Sequence, residues 1–166
     1  MRCPTCGFDN LLGSDICDNC GSDLAGHDVP QSATTFRGQL LGQRLDELDM
    51  APPEIVDGSV RVDDAIGRMH EKGIDAVLVV EGERLVGIFT DRDAVLKVAG
   101  RNVGGEPIAA LMTHDPVVLR HDETIAVALN KMAVGGFRHI PIVEHGRPTG
   151  VVSARDVFQH LAESLG

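Results

Sequence analysis

Four thiols stand within the first twenty residues, in the two segments Cys3-Pro4-Thr5-Cys6-Gly7 and Cys17-Asp18-Asn19-Cys20-Gly21. A C-x2-C turn aims two thiolates at one point, the glycine behind it relieves the tight backbone, and two such turns complete a tetrahedral site for a thiophilic metal ion. Cys3, Cys6, Cys17 and Cys20 are therefore the expected metal ligands, with structural zinc as the default ion. The alternative chemistry is a pair of disulfides. Equal spacing of the two pairs, and the lack of an apolar stretch behind Met1-Arg2-Cys3-Pro4, favour the metal. A segment this short cannot hold a core unaided, and metal binding would supply the missing folding free energy, on the order of 10 kcal/mol in zinc-finger peptides.

The second chemistry-bearing pattern occurs twice, as Gly87-Ile88-Phe89-Thr90-Asp91-Arg92-Asp93 and as Gly150-Val151-Val152-Ser153-Ala154-Arg155-Asp156. Each reads as a corner where a strand enters a helix. In one reading it is a capping box, with Thr90 or Ser153 capping the helix and Asp93 or Asp156 returning a hydrogen bond. In the other, the hydroxyl and carboxylate face a cleft and the carboxylate accepts both hydrogens of a ribose diol, while Arg92 or Arg155 and the N–H groups at the helix start hold phosphate. The two readings are compatible.

These corners belong to a longer duplication. A shift of 63 positions lays Pro53–Asp93 on Pro116–Asp156 without a gap, matching Ala65 with Ala128, Met69 with Met132, Gly73 with Gly136 and Gly87 with Gly150. Each copy predicts a short strand (Ile55-Val56; Val117-Val118) and then a helix with apolar residues at i, i+3, i+4 and i+7 (Val62, Ala65, Ile66, Met69; Ile125, Ala128, Leu129, Met132). Two β-type runs follow, from Ala76 and from Ile140, returning to Phe89 and Val152 before a closing helix. The expected fold is α/β: two β-α-β-β-α copies packed about a pseudo-twofold axis, with two related clefts between them. Residues 1–24 form the metal segment, 25–44 a linker and short helix (helical from Gln39 to Leu48), 45–103 the first repeat and 104–166 the second.

The cysteine segment resembles the short zinc ribbons that serve other proteins as attachment modules, which implies a protein partner for it. Its knuckles are also similar to those of rubredoxins, where iron replaces zinc and carries an electron, although only Phe8 is present to pack around such a centre. The repeat resembles a tandem pair of CBS domains, a Bateman module: the G-h-h-[ST]-x-x-D signature stands in both copies, with Met112-Thr113-His114-Asp115-Pro116-Val117 and Phe137-Arg138-His139-Ile140-Pro141-Ile142-Val143 in the second. That resemblance implies a homodimer whose clefts bind adenosine-containing ligands such as AMP, ADP, ATP or S-adenosylmethionine. Thr90, Arg92 and Asp93, and Ser153, Arg155 and Asp156, would hold ribose and phosphate; Val117 would border adenine, and Arg138 and His139 would approach phosphate. The first copy departs from the pattern, since Asp75 and Ala76 stand where Arg138 and His139 stand in the second, so the clefts are expected to differ.

Composition narrows the function classes. A formal charge of −10 opposes broad contact with nucleic acid or anionic membrane, and within the ribbon Arg2 alone faces Asp9, Asp15, Asp18 and Asp23. No apolar run approaches the roughly 18 residues of a membrane span. The chain reads as cytoplasmic. Its seven histidines form no H-x-x-H or H-E-x-x-H pattern, and no nucleophile and base share a face, so the expectation is a regulatory protein and not an enzyme.

Overall fold

The computed structural model describes residues 2–10, 16–24 and 42–165. They divide into two compact units, residues 1–42 and 43–166. The tether expected after residue 24 falls, up to residue 41, outside the described residues, and so do residues 39–41 of the expected Gln39–Leu48 helix. Of the described remainder, Gly42 is helical and Leu45–Glu47 form a separate 3-10 turn.

The first unit is built from a duplicated knuckle. Cys3 N donates to Phe8 O at 2.8 Å and Gly7 N to Cys3 O at 2.9 Å, and fourteen positions on Cys17 N donates to Ser22 O and Gly21 N to Cys17 O, both at 2.9 Å. Gly7 and Gly21 adopt φ of 74° and 70°, the left-handed turn that glycine enters without steric cost. Cys3, Cys17 and Leu24 form its only buried apolar cluster among the described residues.

The second unit carries strands β1 (Ile55–Asp57), β2 (Ala76–Glu81), β3 (Arg84–Thr90), β4 (Thr113–His114), β5 (His139–Glu144) and β6 (Arg147–Ser153), with helices α1 (Val62–Lys72), α2 (Ile125–Gly135) and α3 (Ala154–Leu165). One sheet has the order β1-β2-β3-β4, the other β5-β6. The 63-residue duplication is written into the backbone. Val56 pairs in parallel with Val79 as Leu119 does with Ile142, and the β2–β3 ladder shifts register at Val79/Val80 as the β5–β6 ladder does at Ile142/Val143. Left-handed Gly73 and Gly136 end α1 and α2.

Two expected elements are altered. The strand at Val117-Val118 is reduced to the single bridge at Leu119. In the first repeat Leu78 N donates to Glu54 O at 2.9 Å, extending the parallel pairing; at the matching place the second repeat has Pro141, which has no N–H to offer Val117. The closing helix of the first repeat is also short. It runs Asp91–Asp93 and opens into a wide π turn, Ala94–Val98, whose Ala99 N reaches Ala94 O at 3.0 Å, whereas α3 continues for 12 residues.

The repeats exchange their leading segments. Ile125 N donates to Gln43 O and Leu45 N to Glu123 O, both at 2.9 Å, so Leu45 and Leu48 fill the core of the second repeat with Leu119, Ile125, Ile140, Ile142 and Val152. Reciprocally, Val62 N donates to Glu106 O at 3.0 Å and Ile108 N to Val60 O at 2.7 Å, placing Ile108 and Met112 in the first core with Val56, Val77, Val79 and Phe89. Between the cores, Ala76, Leu78 and Ile88 pack with Leu85 and Val151. β2 is thus covered on both faces, which explains its unbroken apolar run in place of an alternating one. Replacing fully buried Phe89 by alanine is expected to cost about 3–5 kcal/mol in urea unfolding, whereas Phe158→Ala, at a side chain 70% exposed, should stay within about 0.5 kcal/mol.

Candidate ligand clefts and metal centre

The sequence places the four cysteines near one another and the fold brings their sulfurs together. All four Sγ atoms lie within 4.8 Å of each other, and the pairs Cys3–Cys20 and Cys6–Cys17 are each 3.7 Å apart. A tetrahedron with Zn–S bonds of about 2.3 Å has edges of about 3.8 Å. The donor set therefore fits one tetrahedral thiophilic ion. Cys3 and Cys17 are buried, Cys6 and Cys20 exposed.

Hydrogen-bond donors surround the sulfurs. Asn10 Nδ2 lies 3.6 Å from Cys17 Sγ and Asn19 Nδ2 3.5 Å from Cys6 Sγ, while Ser22 Oγ is 3.1 Å from Cys20 Sγ. Burial raises the Cys17 thiol, but the N–H groups of Cys20 and Asn19 and the Asn10 amide outweigh it and bring it down to about 6. The Ser22 hydroxyl and N–H likewise hold Cys20 below its ordinary value. These amide and hydroxyl donors were not singled out from sequence, although Asn10 and Asn19 sit close to the cysteines they serve.

In the second unit Thr90, Arg92, Asp93, Val117, Arg138 and His139 line one cleft of about 400 Å³, with Ile88, Leu96 and Phe137 as its apolar wall. Ser153, Arg155 and Asp156 line its pseudo-symmetric counterpart of about 360 Å³, and His139 borders both. The corner geometry repeats. Thr90 N and Oγ1 donate to Asp93 Oδ2 at 3.0 and 2.9 Å, and Ser153 N and Oγ to Asp156 Oδ2, both at 2.7 Å. Both are capping boxes, so the structural reading of the motif holds, and the cap fixes each carboxylate at its cleft.

The two carboxylates differ in their remaining partners. Asp93 Oδ1 is ion-paired with Lys97 at 2.7 Å and lies 3.5 Å from Thr113 Oγ1, and Lys97 also donates to Leu111 O at 2.8 Å. Lys97 was missed in the sequence, although its place one helical turn after Asp93 was a usable signal. The position matching Lys97 is His160, which bonds Gln43 Oε1 at 2.8 Å. Arg92 reaches across the repeats to Gly136 O at 3.3 Å, leaving the exposed Arg138 as the further guanidinium of the first cleft.

His139 stands between the clefts. Its burial pushes the imidazole below its ordinary value; Asp91 and Asp75 pull it back up, Arg138 pushes it further down and Asp156 again pulls up.

A duplicated β-α-β-β-α unit with exchanged leading segments and paired clefts defines a two-repeat module of the α/β class. The chain belongs to the CBS domain family, whose model matches residues 45–100 and 108–163. CBS domain-containing protein CBSCBSPB5 of Arabidopsis thaliana is 32% identical over 139 residues, covering 81% of this chain and 25% of that protein. The chain thus spans about a quarter of the length of the first curated relatives it matches. The crystal structure of the CBS-domain containing protein ATU1752 from Agrobacterium tumefaciens is 30% identical with a TM-score of 0.66, over 72% of this chain and 99% of that one. CBS domain protein PAE2072 from Pyrobaculum aerophilum, complexed with AMP, superposes with a TM-score of 0.65 at 22% identity, over 73% of this chain and 99% of that one. Among the described residues no helix is long and apolar enough to cross a membrane.

Elemental analysis of the purified protein should give one thiophilic metal ion per chain and less than a tenth of that in Cys17→Ser. Because thiolates and not thiols ligate, acidification should release the metal, at a pH below the one at which the metal-free Cys17 thiol titrates. The lowered His139 value has a sign of its own: below the unfolded value of 6.5 the unfolded state binds the proton first, so folded stability declines as pH drops into that window. Urea unfolding at pH 7.5 and 5.5 should show a smaller acid loss for His139→Gln than for the wild type.

Proposed function

We propose that the repeat pair is a regulatory module that takes an adenosine nucleotide in the first cleft, and that the cysteine unit is a zinc ribbon through which the chain docks on a protein partner. The observation that carries the nucleotide reading is the convergence, in one cavity of about 400 Å³, of three different kinds of wall. A cap-fixed carboxylate, Asp93, can accept from a ribose diol; Arg92 and Arg138 can meet phosphate; Ile88, Leu96, Val117 and Phe137 can enclose a base. The volume lies within the roughly 300–1,000 Å³ of small-molecule sites. The AMP held by the Pyrobaculum aerophilum protein, a likeness of fold alone at 22% identity, agrees with this class.

Ligand entering the cleft would bridge Thr90 and Asp93 of the first repeat and Arg138 of the second, so its binding energy acts on how the repeats pack. Zinc is favoured over iron because Phe8, the one aromatic residue of the ribbon, is 44% exposed and gives no shell that would keep water from a redox centre. A colourless metal-loaded protein supports zinc; visible absorbance from ferric thiolate would replace it by the electron-carrier reading. Exposed Val127 and Val134, seven residues apart on α2, support association of two copies.

Isothermal calorimetry with AMP, ADP and ATP should show saturable binding of at least one. Arg138→Ala should weaken it about 10-fold without loss of stability, while Asp93→Ala should weaken it 10- to 100-fold and also cost about 1 kcal/mol of folding free energy through the lost cap. Absence of heat with all three nucleotides and with S-adenosylmethionine would leave a structural adaptor in place of a sensor.

A further inference from the structure

Half of the Asp93 carboxylate is committed to the cap, since Oδ2 accepts from Thr90 N at 3.0 Å and from Thr90 Oγ1 at 2.9 Å. A ligand in the first cleft must therefore use Oδ1. That oxygen already holds the Lys97 ammonium at 2.7 Å and faces Thr113 Oγ1 at 3.5 Å. A carboxylate oxygen offers two lone pairs, and a ribose diol brings two hydrogens. Diol and ammonium are rivals for one atom.

Lys97 is also tied elsewhere. It lies within the wide turn Ala94–Val98, closed by Ala99 N on Ala94 O at 3.0 Å, and its ammonium donates to Leu111 O at 2.8 Å. Single wide turns of this kind are rare and recur at functional sites. Leu111 stands between Ile108 and Met112 on one side and β4 on the other, so one side chain joins the cleft carboxylate, the closing turn of the first repeat and the segment that leads into the second. The second repeat lacks the tie. His160, at the place of Lys97, bonds Gln43 Oε1 at 2.8 Å, Asp156 has no ion-pair partner within 4.0 Å among the described residues, and α3 runs uninterrupted through Ala154–Leu165. Lysine and wide turn occur together in one repeat and are absent together from the other.

We infer that Lys97 is a latch on the first cleft: the ribose diol of an entering ligand takes Asp93 Oδ1 in exchange for the ammonium, and the freed lysine lets the turn Ala94–Val98 rewind. This rests on the reading of the cleft as a nucleoside site and gives that site its output. The Lys97 side chain is 35% exposed, so its ammonium returns to water and the ion pair itself opposes the exchange only weakly. The same turn carries Leu96, which lines the cleft, and Val95; both are exposed, and rewinding would change the apolar surface that the first repeat presents. The ligand thus shifts the turn through a contact that only one of its two states retains.

Calorimetry with adenosine, which has the diol and no phosphate to sense a lost charge, tests the exchange in the wild type, Lys97→Met and Lys97→Gln. Both variants should bind adenosine about 10-fold more tightly than the wild type, with no such gain for 2′-deoxyadenosine, which lacks one of the two hydroxyls. Glutamine keeps a donor for Leu111 O, so agreement of the two variants separates the latch from a loss of packing. Hydrogen exchange read by mass spectrometry follows the output: adenosine should speed exchange at residues 94–99 of the wild type, and Lys97→Met should show the faster exchange without ligand. The inference is overturned if the variants bind adenosine no more tightly than the wild type, if 2′-deoxyadenosine gains equally, or if exchange at residues 94–99 does not respond to adenosine. Should neither adenosine nor AMP bind any of the three proteins, the nucleoside reading of the cleft fails and the latch with it; equal binding to all three removes the latch alone.

Discussion

The structure of the larger unit depends on the exchange of leading segments between its repeats. Leu45 and Leu48 precede the first repeat in sequence and are buried in the second; Ile108 and Met112 precede the second and are buried in the first. Each core therefore lacks two large apolar side chains until the other repeat provides them. Removing either segment would open cavities of the kind that cost several kcal/mol, out of a total stability of roughly 5–15 kcal/mol. The clefts inherit this interdependence, because their walls are drawn from both repeats and can be no better placed than the repeats are against one another.

What was legible in the sequence was whatever repeats locally. The 63-residue offset exposed both helices, the paired β runs and the two corners, because each is specified by apolar period and by a few punctuating residues at fixed spacing. The cysteines were legible for the same reason. The exchange of segments was not, since nothing in the composition of residues 43–48 says which of two similar cores they fill. The lost strand at Val117-Val118 was hidden by a proline on another strand: those residues are suitable β formers, and only the pairing with Pro141 removes the donor they would need. Lys97 lay one turn from Asp93 in plain view, but its importance follows from the carboxylate being buried at the cleft, which the sequence does not reveal.

Apart from the strand lost at Val117-Val118 and the short closing helix of the first repeat, the backbone geometry is retained and divergence between the repeats is one of chemistry. The bulges, the left-handed glycines and the capping boxes recur at the same offset, so the backbone presents equivalent positions twice. The side chains at those positions then depart, arginine to aspartate at 138 and 75, lysine to histidine at 97 and 160, valine to glutamate at 117 and 54. None of these changes disturbs a core residue. A duplicated scaffold can in this way vary the charge of each cleft independently while the two stay mechanically joined through Leu78, Ile88 and Val151.

The exchange also sets an order of events during synthesis. The segment around Leu45 leaves the ribosome with no surface to pack on, for its partner Glu123 and the helix beyond follow about eighty residues later, which at 5–20 residues per second is a wait of roughly 4–16 seconds. During that interval the first repeat is also without Ile108 and Met112, so its apolar strands β2 and β3 are made before the groups that shield them. The cysteine unit has no such delay, since every ligand it needs has emerged by residue 20. The nascent chain can thus hold a folded, metal-bound head while its larger unit is still incomplete and open to chaperones.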